Sequence, residues 1–343
     1  MSEQDQAKKL VHPAIARVFE SIELGEPSVH EGIGLWPVRG EIRPEPEYIT
    51  LVEAQSLPGF KITEISEGGS VPTLAVVNET EKNVLLFDGE ELKGAKQNRI
   101  LNTSILVAAG TQLEVPVSCT ESGRWSHVSP QFESSGSMAY AELRKVKARS
   151  VHRSLSLQEE HRSDQGEVWD EIEMLHAKAR TADKSRTRAM RDAYEERRRE
   201  LEEFSRSVAC QEGQCGLLVV VGDRVEGVDV VSRPEAWAHL HRRLVESHAM
   251  DYLVRKGGRD KVKPVDPEAP GRFLAEAAKA EESVHEAPGM GSDHRLRFRW
   301  GYGSALRVGE TVVHLALFGG KLLGEGAHPA EPRIHRRSRR RGF

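Results

Sequence analysis

Polar and charged side chains of several chemical types are concentrated between Val84 and Trp125. Two apolar runs, Val84–Phe87 and Ile105–Val107, enclose a polar insert. A third run ends at Val117, just before a thiol, a carboxylate, a guanidinium and an indole. If the runs are strands, their ends bring these groups together. Such a gathering binds a charged small molecule in some proteins and is a solvated loop in others.

Each residue type in this stretch suits one role toward a nucleotide. Lysine and arginine hold phosphates, amides hydrogen-bond to ribose or base edges, and an indole stacks on a base. A carboxylate can act as the general base, with water as the nucleophile. The predicted ligand-binding residues are Lys93, Lys96, Gln97, Asn98, Asn102, Arg124 and Trp125, and the predicted catalytic residues are Glu90 and Glu121.

A reactive thiol is a further candidate, whereas a metal site is not. Cys119 is followed by Glu121, Arg124 and His127, and a nearby cation lowers a thiol pKa. A small buried residue at a strand end is the alternative interpretation. Residues 31 to 126 contain no histidine, which excludes a His-ligated metal on these strands. Gly-rich phosphate loops are absent too, and the sequence does not identify a cofactor.

Composition limits the class of protein and its partners. The chain has 343 residues, of which 38% are hydrophobic and 30% charged, as expected for a folded protein with two lobes. No apolar run approaches the roughly 18 residues that cross a membrane, and the N-terminus lacks a secretory signal. With three cysteines suited to a reducing compartment, we expect a cytoplasmic protein without a membrane partner.

Charge is distributed unevenly along the chain. The net charge is −4, yet the last eleven residues contain six arginines and no acid. The remainder is therefore more acidic than the net value, which argues against a broad nucleic-acid surface. The tail at 333–343 could hold nucleic acid weakly, or be a solvated, disordered terminus.

Hydrophobic patterns predict an α+β fold. Short apolar runs separated by turn residues come first, then helical periodicity, then a hairpin, two helices and three closing strands. Strands and helices do not alternate as βαβ units, which argues against a doubly wound sheet. The predicted divisions are a lead-in at 1–20, a β-rich lobe at 21–135 forming a sandwich or an open barrel, a helical segment at 136–212, a C-terminal α+β domain with antiparallel strands at 213–332, and the basic tail at 333–343.

Two charged segments allow more than one interpretation. The segment 184–206 is almost wholly charged, with Glu195–Arg199 and Glu202–Arg206 spaced for i,i+4 pairing. It is predicted to be a solvated helix, the alternative being a helix packed on a partner. Arg295, Arg297 and Arg299 alternate along a strand, which is typical of a wet sheet face but also suits a phosphate-binding wall.

Three sequence motifs resemble one bacterial family. The segments GEELKGAKQNRILNTS, VPVSCTESGRW and GVDVVSRPEAW are similar to the family named for its association with ADP-ribosylglycohydrolases and rhodanese-like phosphatases. The resemblance extends from about Glu23 to Gly320. The positions that match its motifs are Glu90, Lys93, Gly94, Lys96, Gln97, Asn98, Asn102, Cys119, Glu121, Arg124 and Trp125.

The resemblance implies processing or sensing of ADP-ribose and other products of NAD metabolism. It supplies no catalytic residues. The leading hypothesis is a protein that binds ADP-ribose or a related nucleotide between the β-rich lobe and the C-terminal domain, with hydrolysis as its chemistry if it is an enzyme. The alternative is a non-catalytic ligand sensor or assembly subunit that docks a partner enzyme. A third hypothesis makes the polar insert structural, with its charges paired at the seam of a homo-oligomer.

Overall fold

The computed structural model describes residues 11–40, 45–66, 72–124, 129–158, 160–256 and 263–320. The helices of this part of the chain are α1 (Pro13–Ser21), α2 (Leu51–Ala54), α3 (Ala141–Gln158), α4 (Gln165–Ala179), α5 (Met190–Glu196), α6 (Arg198–Arg206), α7 (Pro234–Lys256) and α8 (Ala269–Ala277). The strands are β1 (Glu23–Leu24), β2 (Ser28–His30), β3 (Ile33–Arg39), β4 (Ile49–Thr50), β5 (Phe60–Thr63), β6 (Thr73–Asn78), β7 (Val84–Leu86), β8 (Glu90–Gly94), β9 (Arg99–Leu101), β10 (Ile105–Val107), β11 (Thr111–Cys119), β12 (Phe132–Met138), β13 (Gly216–Val221), β14 (Arg224–Val231), β15 (Glu281–Glu286), β16 (Ser292–Phe298), β17 (Gly301–Val308) and β18 (Thr311–Gly319).

Six short strands close into a barrel in the order β11-β6-β5-β12-β8-β9. The alternation of β6, which buries Leu74 and Val76 between less buried neighbours, is the pattern expected of a strand with one face inward. Ile62, Leu92 and Val117 join these residues in one apolar core. The three-stranded sheet β10-β7-β4 packs beside the barrel and shares that core. The predicted sandwich or open barrel is therefore a closed barrel.

A nine-stranded antiparallel sheet forms the second body, in the order β1-β3-β13-β14-β18-β17-β16-β15, with β2 also paired to β3. Its central strand β18 is buried throughout because helices or the barrel cover both faces. Helices α1 and α8 pack on one face. Helix α7 packs on the other through Trp237, Leu240 and Leu244. The predicted α+β class with an antiparallel C-terminal unit is confirmed.

The sheet includes a segment that the sequence interpretation placed elsewhere. Residues 21–135 were assigned to one β-rich lobe, whereas Ile33–Arg39 of β3 pairs along its length with Gly216–Val221 of β13. This pairing joins segments about 180 positions apart, and hydrophobic periodicity shows that a run is a strand without showing its partner. The remaining domain boundaries stay predictions, and the tail at 333–343 lies outside the described residues.

The helical segment follows the predicted pattern with one interruption. Asp164 caps α4 by accepting from the backbone of Glu167 at 3.2 Å. The charged segment 184–206 forms two helices, α5 and α6, that meet at Arg197. The Glu202–Arg206 pair is present at 3.3 Å. The Glu195–Arg199 pair is replaced, because Glu195 pairs with Arg191 and Arg198 instead.

No helix in the described ranges is long and apolar enough to span a membrane.

Candidate functional site

Four of the predicted site residues form one compact group, here called the motif cluster: Gln97, Asn98, Glu121 and Arg124. The β8–β9 turn supplies the amides and the segment after β11 supplies the ion pair. Arg124 contacts the Glu121 carboxylate at 2.7 Å, the Asn98 side-chain oxygen at 3.2 Å and the Ala95 carbonyl at 2.9 Å. Gln97 donates to the Glu121 carbonyl at 2.8 Å. The cluster therefore ties two loops of the barrel together.

The connection between α4 and α5 lies against the motif cluster. The Gly123 amide donates to the Thr187 carbonyl at 2.9 Å, and a Cβ at Gly123 would lie only 2.8 Å from the Thr187 Cα. The neighbouring Lys96 is buried, whereas Trp125 lies outside the described residues. In this structure the polar groups of the cluster thus bond to each other, and Gln97, Asn98 and Glu121 are buried.

Glu90 and Lys93 lie apart from the motif cluster, although both are on β8. The Glu90 carboxylate is buried and ion-paired with Arg243 of α7. The Lys93 amine is half-exposed and lies 3.8 Å from the Glu133 carboxylate on β12. The structure therefore gives Glu90 a place between the barrel and α7, and Lys93 a place on the barrel surface.

The Cys119 thiol is buried at the end of β11. Its backbone exchanges two hydrogen bonds with the Gln165 side chain, at 2.8 and 2.9 Å. Burial raises the thiol pKa, which Arg99 opposes and Glu64 reinforces. Since the thiolate is the nucleophilic form, this environment disfavours reactivity at neutral pH.

The remaining predicted site residue within the described ranges, Asn102, leads to a second group of polar residues. Its side-chain amide donates to the His161 carbonyl at 3.1 Å, and its side-chain oxygen accepts from Ser118 at 2.7 Å. Its backbone carbonyl accepts from the Lys147 amine at 3.0 Å. Lys147 belongs to a set of buried charges between the barrel, α3 and the large sheet. This central ionic network consists of Asp88, Arg144, Lys147, Asp229, Asp293 and Arg295.

Helix α3 supplies two of the three cations in the network. Arg144 holds Asp229 through two bonds of 2.8 and 2.6 Å and lies 3.5 Å from Asp88. Lys147, one helical turn later, pairs with Asp88. Gly89 makes this approach feasible because its φ is +79° and a Cβ there would lie 2.8 Å from the Arg144 side chain. The barrel turn at 88–89 is thus fitted to α3.

Strand β16 supplies the other half of the network. The Arg295 guanidinium donates to Asp293 at 2.5 Å and to the Thr103 hydroxyl at 3.0 Å. The ring Nε2 of His161 lies 2.8 Å from the same Asp293 oxygen. The second Asp293 oxygen and the Arg295 Nε are buried and have no hydrogen-bond partner among the residues that the structure describes. Arg295 therefore does not lie on a solvent-exposed sheet face, and one of its donors has no acceptor among the described residues. Arg297 and Arg299, in contrast, are exposed.

Burial and ion pairing shift the pKa values of these groups in opposite directions. Burial by itself would raise the pKa of Asp293, but Arg295 and His161 lower it to about 2. Burial lowers the pKa of Lys147 to about 8, because Asp88 only partly offsets it and Arg144 opposes its charge. Asp293 is therefore ionised at neutral pH, and strongly perturbed groups of this kind are frequent in functional sites.

The network borders a large cavity at the position of His161. This network cleft has a volume of about 830 Å³ and lies between the barrel and the sheet edge. Three carboxylates and three basic side chains are among its lining residues, which come from the barrel (Pro72, Thr73, Glu114 and Pro116), from Glu160, His161 and Arg162, and from the β15 segment (Val284, His285, Glu286, Ala287 and Pro288). A cavity of this volume accommodates a nucleotide-sized ligand.

Sequence interpretation found only the barrel side of the network. Asp88 and Asn102 belong to the polar insert, but their partners lie 45 to 59 positions away on α3. His161 and Asp293 are 132 positions apart. One local signal was present, since Arg144 and Lys147 are cations one turn apart beside the apolar stripe of Leu143.

The described residues include no group of three or more His, Cys, Asp or Glu side chains arranged to hold a metal ion.

A family model described as the ARG and Rhodanese-Phosphatase-superfamily-associated Protein domain matches residues 21–318. The match covers the barrel, helices α2 to α8 and all but the last residue of the large sheet, and so includes both the motif cluster and the central ionic network. Comparisons with curated proteins and with solved structures find no match.

Proposed function

The chain belongs to the ARG and rhodanese-phosphatase-superfamily-associated protein family, and from this premise we propose that it binds ADP-ribose or a related NAD-derived nucleotide in the network cleft and hydrolyses it. The family name points to ADP-ribosylglycohydrolases as functional neighbours. One observation carries the proposal: a histidine at the wall of a nucleotide-sized cavity is hydrogen-bonded to a buried, ionised aspartate.

The pairing of His161 with Asp293 suits acid–base chemistry. Asp293 binds the imidazole through Nε2 at 2.8 Å. It thereby fixes the ring and stabilises the imidazolium that forms when the ring takes up a proton. Nδ1 makes no hydrogen bond within the described part of the chain and is the atom that exchanges a proton with the substrate. Arg295 and Thr103 hold the aspartate in turn.

The rim of the cleft provides the remaining parts of a hydrolytic site. Glu114, Glu160 and Glu286 can accept hydrogen bonds from ribose hydroxyls and stabilise positive charge that develops on the sugar. Arg162 can hold a phosphate oxygen. Water adds its hydroxyl to the carbon or phosphorus atom under attack and gives its proton to Nδ1 of His161. The bond to the leaving group breaks, and His161 returns that proton to the leaving group. These parts suit an N-glycosidic or a phosphoester bond.

The acid–base role is assigned here to His161 in preference to Glu90 and Glu121. Each of those carboxylates is held by a guanidinium, Arg243 or Arg124, and is shielded from solvent. A catalytic role for Glu90 and Glu121, and ligand binding by Lys93, Lys96, Gln97, Asn98, Asn102, Arg124 and Trp125, stay predictions that the same experiment can test.

The test incubates the full chain with ADP-ribose and with NAD, and follows products by chromatography and ligand binding by thermal shift. We expect His161→Gln to reduce turnover by about 100-fold or more while the ligand still raises the melting temperature. His239→Gln is the control, because His239 is a half-exposed histidine of α7 outside the cleft.

Three outcomes would contradict the proposal in different ways. A thermal shift without turnover by the wild-type protein would make it a ligand sensor. Turnover that survives in His161→Gln but is lost in a stably folded Glu90→Gln or Glu121→Gln would return the chemistry to the predicted carboxylates. Neither turnover nor a shift would eliminate the nucleotide hypothesis for this cleft.

A further inference from the structure

A second cavity lies at the opposite end of β16 from Asp293. It has a volume of about 510 Å³ and is formed where the β16–β17 turn meets the β13–β14 turn, α8, and side chains of α3 and α7. The two cavities share none of their lining residues. Arg299 follows Asp293 by six positions, so the two sites lie about 20 Å apart along the strand. We call this second cavity the basic cleft.

Cations outnumber carboxylates in the lining of the basic cleft. Its charged lining residues are Lys145, Arg224, Arg255, Arg272 and Arg299 on the positive side and Asp223 and Glu226 on the negative side. This surplus contrasts with the network cleft, whose lining has three carboxylates, one arginine and two histidines, and with the net negative charge of the whole chain. A concave surface with such a surplus attracts anions.

Two of these cations share one carboxylate of the cleft, whereas others are available to bind a ligand. Arg255 and Lys145 both contact Glu226, at 2.8 and 3.6 Å. Arg224 is exposed and lies 3.9 Å from Asp223, at the limit of an ion pair. Arg299 is exposed and makes no ion pair within the described ranges. The arginines of the two turns are therefore the ones that can bind an anion without breaking a buried contact.

Aromatic side chains accompany these arginines. Trp300 follows Arg299 in the turn and is 38% exposed, which is unusual for so large an apolar side chain. Phe273 of α8 also lines the cleft, is buried, and packs edge-to-face on Phe298 at 5.3 Å between ring centroids. The phenyl pair supports the wall, and the exposed indole offers a flat surface beside the cations.

We propose that the basic cleft is a nucleotide-binding site, in which Arg224 and Arg299 hold phosphate oxygens and the base stacks on Trp300. Guanidinium groups bind phosphates in a bidentate manner, and aromatic side chains stack on bases of any sequence. The described lining contains no histidine or cysteine and no carboxylate that lacks a basic partner. We assign this site to ligand binding alone, independently of hydrolysis in the network cleft.

The test measures binding of ADP, adenosine and inorganic pyrophosphate to the full chain by calorimetry at low salt. We expect ADP to bind more tightly than either of its parts. Trp300→Leu and Arg299→Glu should each weaken ADP binding by about fivefold or more. Matched controls are Trp169→Leu, which removes an equally exposed indole from α4, and Arg297→Glu, which reverses a charge on the same strand outside the cleft.

His161→Gln separates this proposal from the proposed hydrolysis, since it should leave ADP binding unchanged. Undetectable ADP binding by the wild-type protein would overturn the inference, as would binding that survives both cleft substitutions or disappears in His161→Gln. Pyrophosphate binding equal to that of ADP and insensitive to Trp300→Leu would define a simple phosphate site and overturn the assignment to a nucleotide.

Discussion

The motif cluster and the central ionic network both use polar residues of the same stretch, but they differ in where their partners come from. Every bond described for the motif cluster joins residues between Ala95 and Arg124. The network combines Asp88 with side chains from α3, β14 and β16. The first is a local tie between two barrel loops, and the second exists only when barrel, helix and sheet are assembled.

The two groups also differ in their access to a ligand. The motif cluster is covered by the connection between α4 and α5, whereas the network adjoins an 830 Å³ cleft through His161. Buried charges in the network are paired, but within the described part of the chain an oxygen of Asp293 and the Arg295 Nε have no hydrogen-bond partner. One half of the family motif thus ties two barrel loops together, and the other half contributes to the network beside the proposed functional site.

The largest expected effect on stability comes from breaking an ion pair in the central ionic network. Breaking an ion pair in the motif cluster provides the comparison. Asp229→Ala leaves the buried Arg144 guanidinium with Asp88 at 3.5 Å as its remaining acidic partner. We expect the free energy of unfolding to fall by about 3–5 kcal/mol. Glu121→Ala should cost only about 1–2 kcal/mol, because Arg124 keeps two acceptors and is partly exposed. Chemical denaturation at pH 7 measures both.

Similar losses from the two substitutions would contradict the distinction between a local tie and a central network. Asp229→Asn is the matched variant, since it keeps the shape of the side chain and removes its charge. Its loss should lie close to that of Asp229→Ala if charge compensation of Arg144 is the dominant effect, and well below it if packing is.

The difference between partners close in sequence and partners far apart in sequence also explains which features the sequence could predict. Short apolar runs such as Leu74–Val77 indicated strands of the β-rich lobe, and helical periodicity indicated the helical segment at 136–212. The motif cluster was also predictable as a group because its residues are close in sequence. The contact of His161 with Asp293, 132 positions away, and the pairing of β3 with β13 depend on tertiary topology. Residue types and periodicity do not encode them locally.

A smaller, pH-dependent effect is expected at Glu91, which lies on β8 between the two groups. Burial raises the pKa of its carboxyl to about 7, although the Ser135 and Thr120 hydroxyls oppose this. The folded state therefore binds the proton more tightly than the unfolded chain. Its stabilising contribution is complete below about pH 4.5, the ordinary carboxyl pKa, and is lost as the pH rises to 7. Glu91→Gln should thus be more stable than the wild-type protein at pH 8, by about 1–2 kcal/mol.

This advantage should disappear near pH 5, where the wild-type carboxyl is protonated too. Denaturation curves at pH 5 and pH 8 measure the difference. Glu133→Gln serves as the control because Glu133 lies on the neighbouring strand β12 and is exposed, so its effect should be the same at both pH values. A Glu91→Gln variant that is less stable at pH 8 would mean that the ionised carboxylate contributes more through its hydroxyl donors than burial removes.

The smallest effect is expected at Lys93, the predicted site residue that lies outside both groups. Its pairing with Glu133 at 3.8 Å is solvent-exposed, and such pairs contribute less than about 1 kcal/mol. Lys93→Glu should therefore change the melting temperature little and leave the mass in solution, measured by light scattering, unchanged. The double variant Lys93→Glu with Glu133→Lys restores the pair and is the matched control. A change in mass that the double variant reverses would instead place Lys93 at the seam of a homo-oligomer, and the motif would then serve assembly as well as folding and ligand binding.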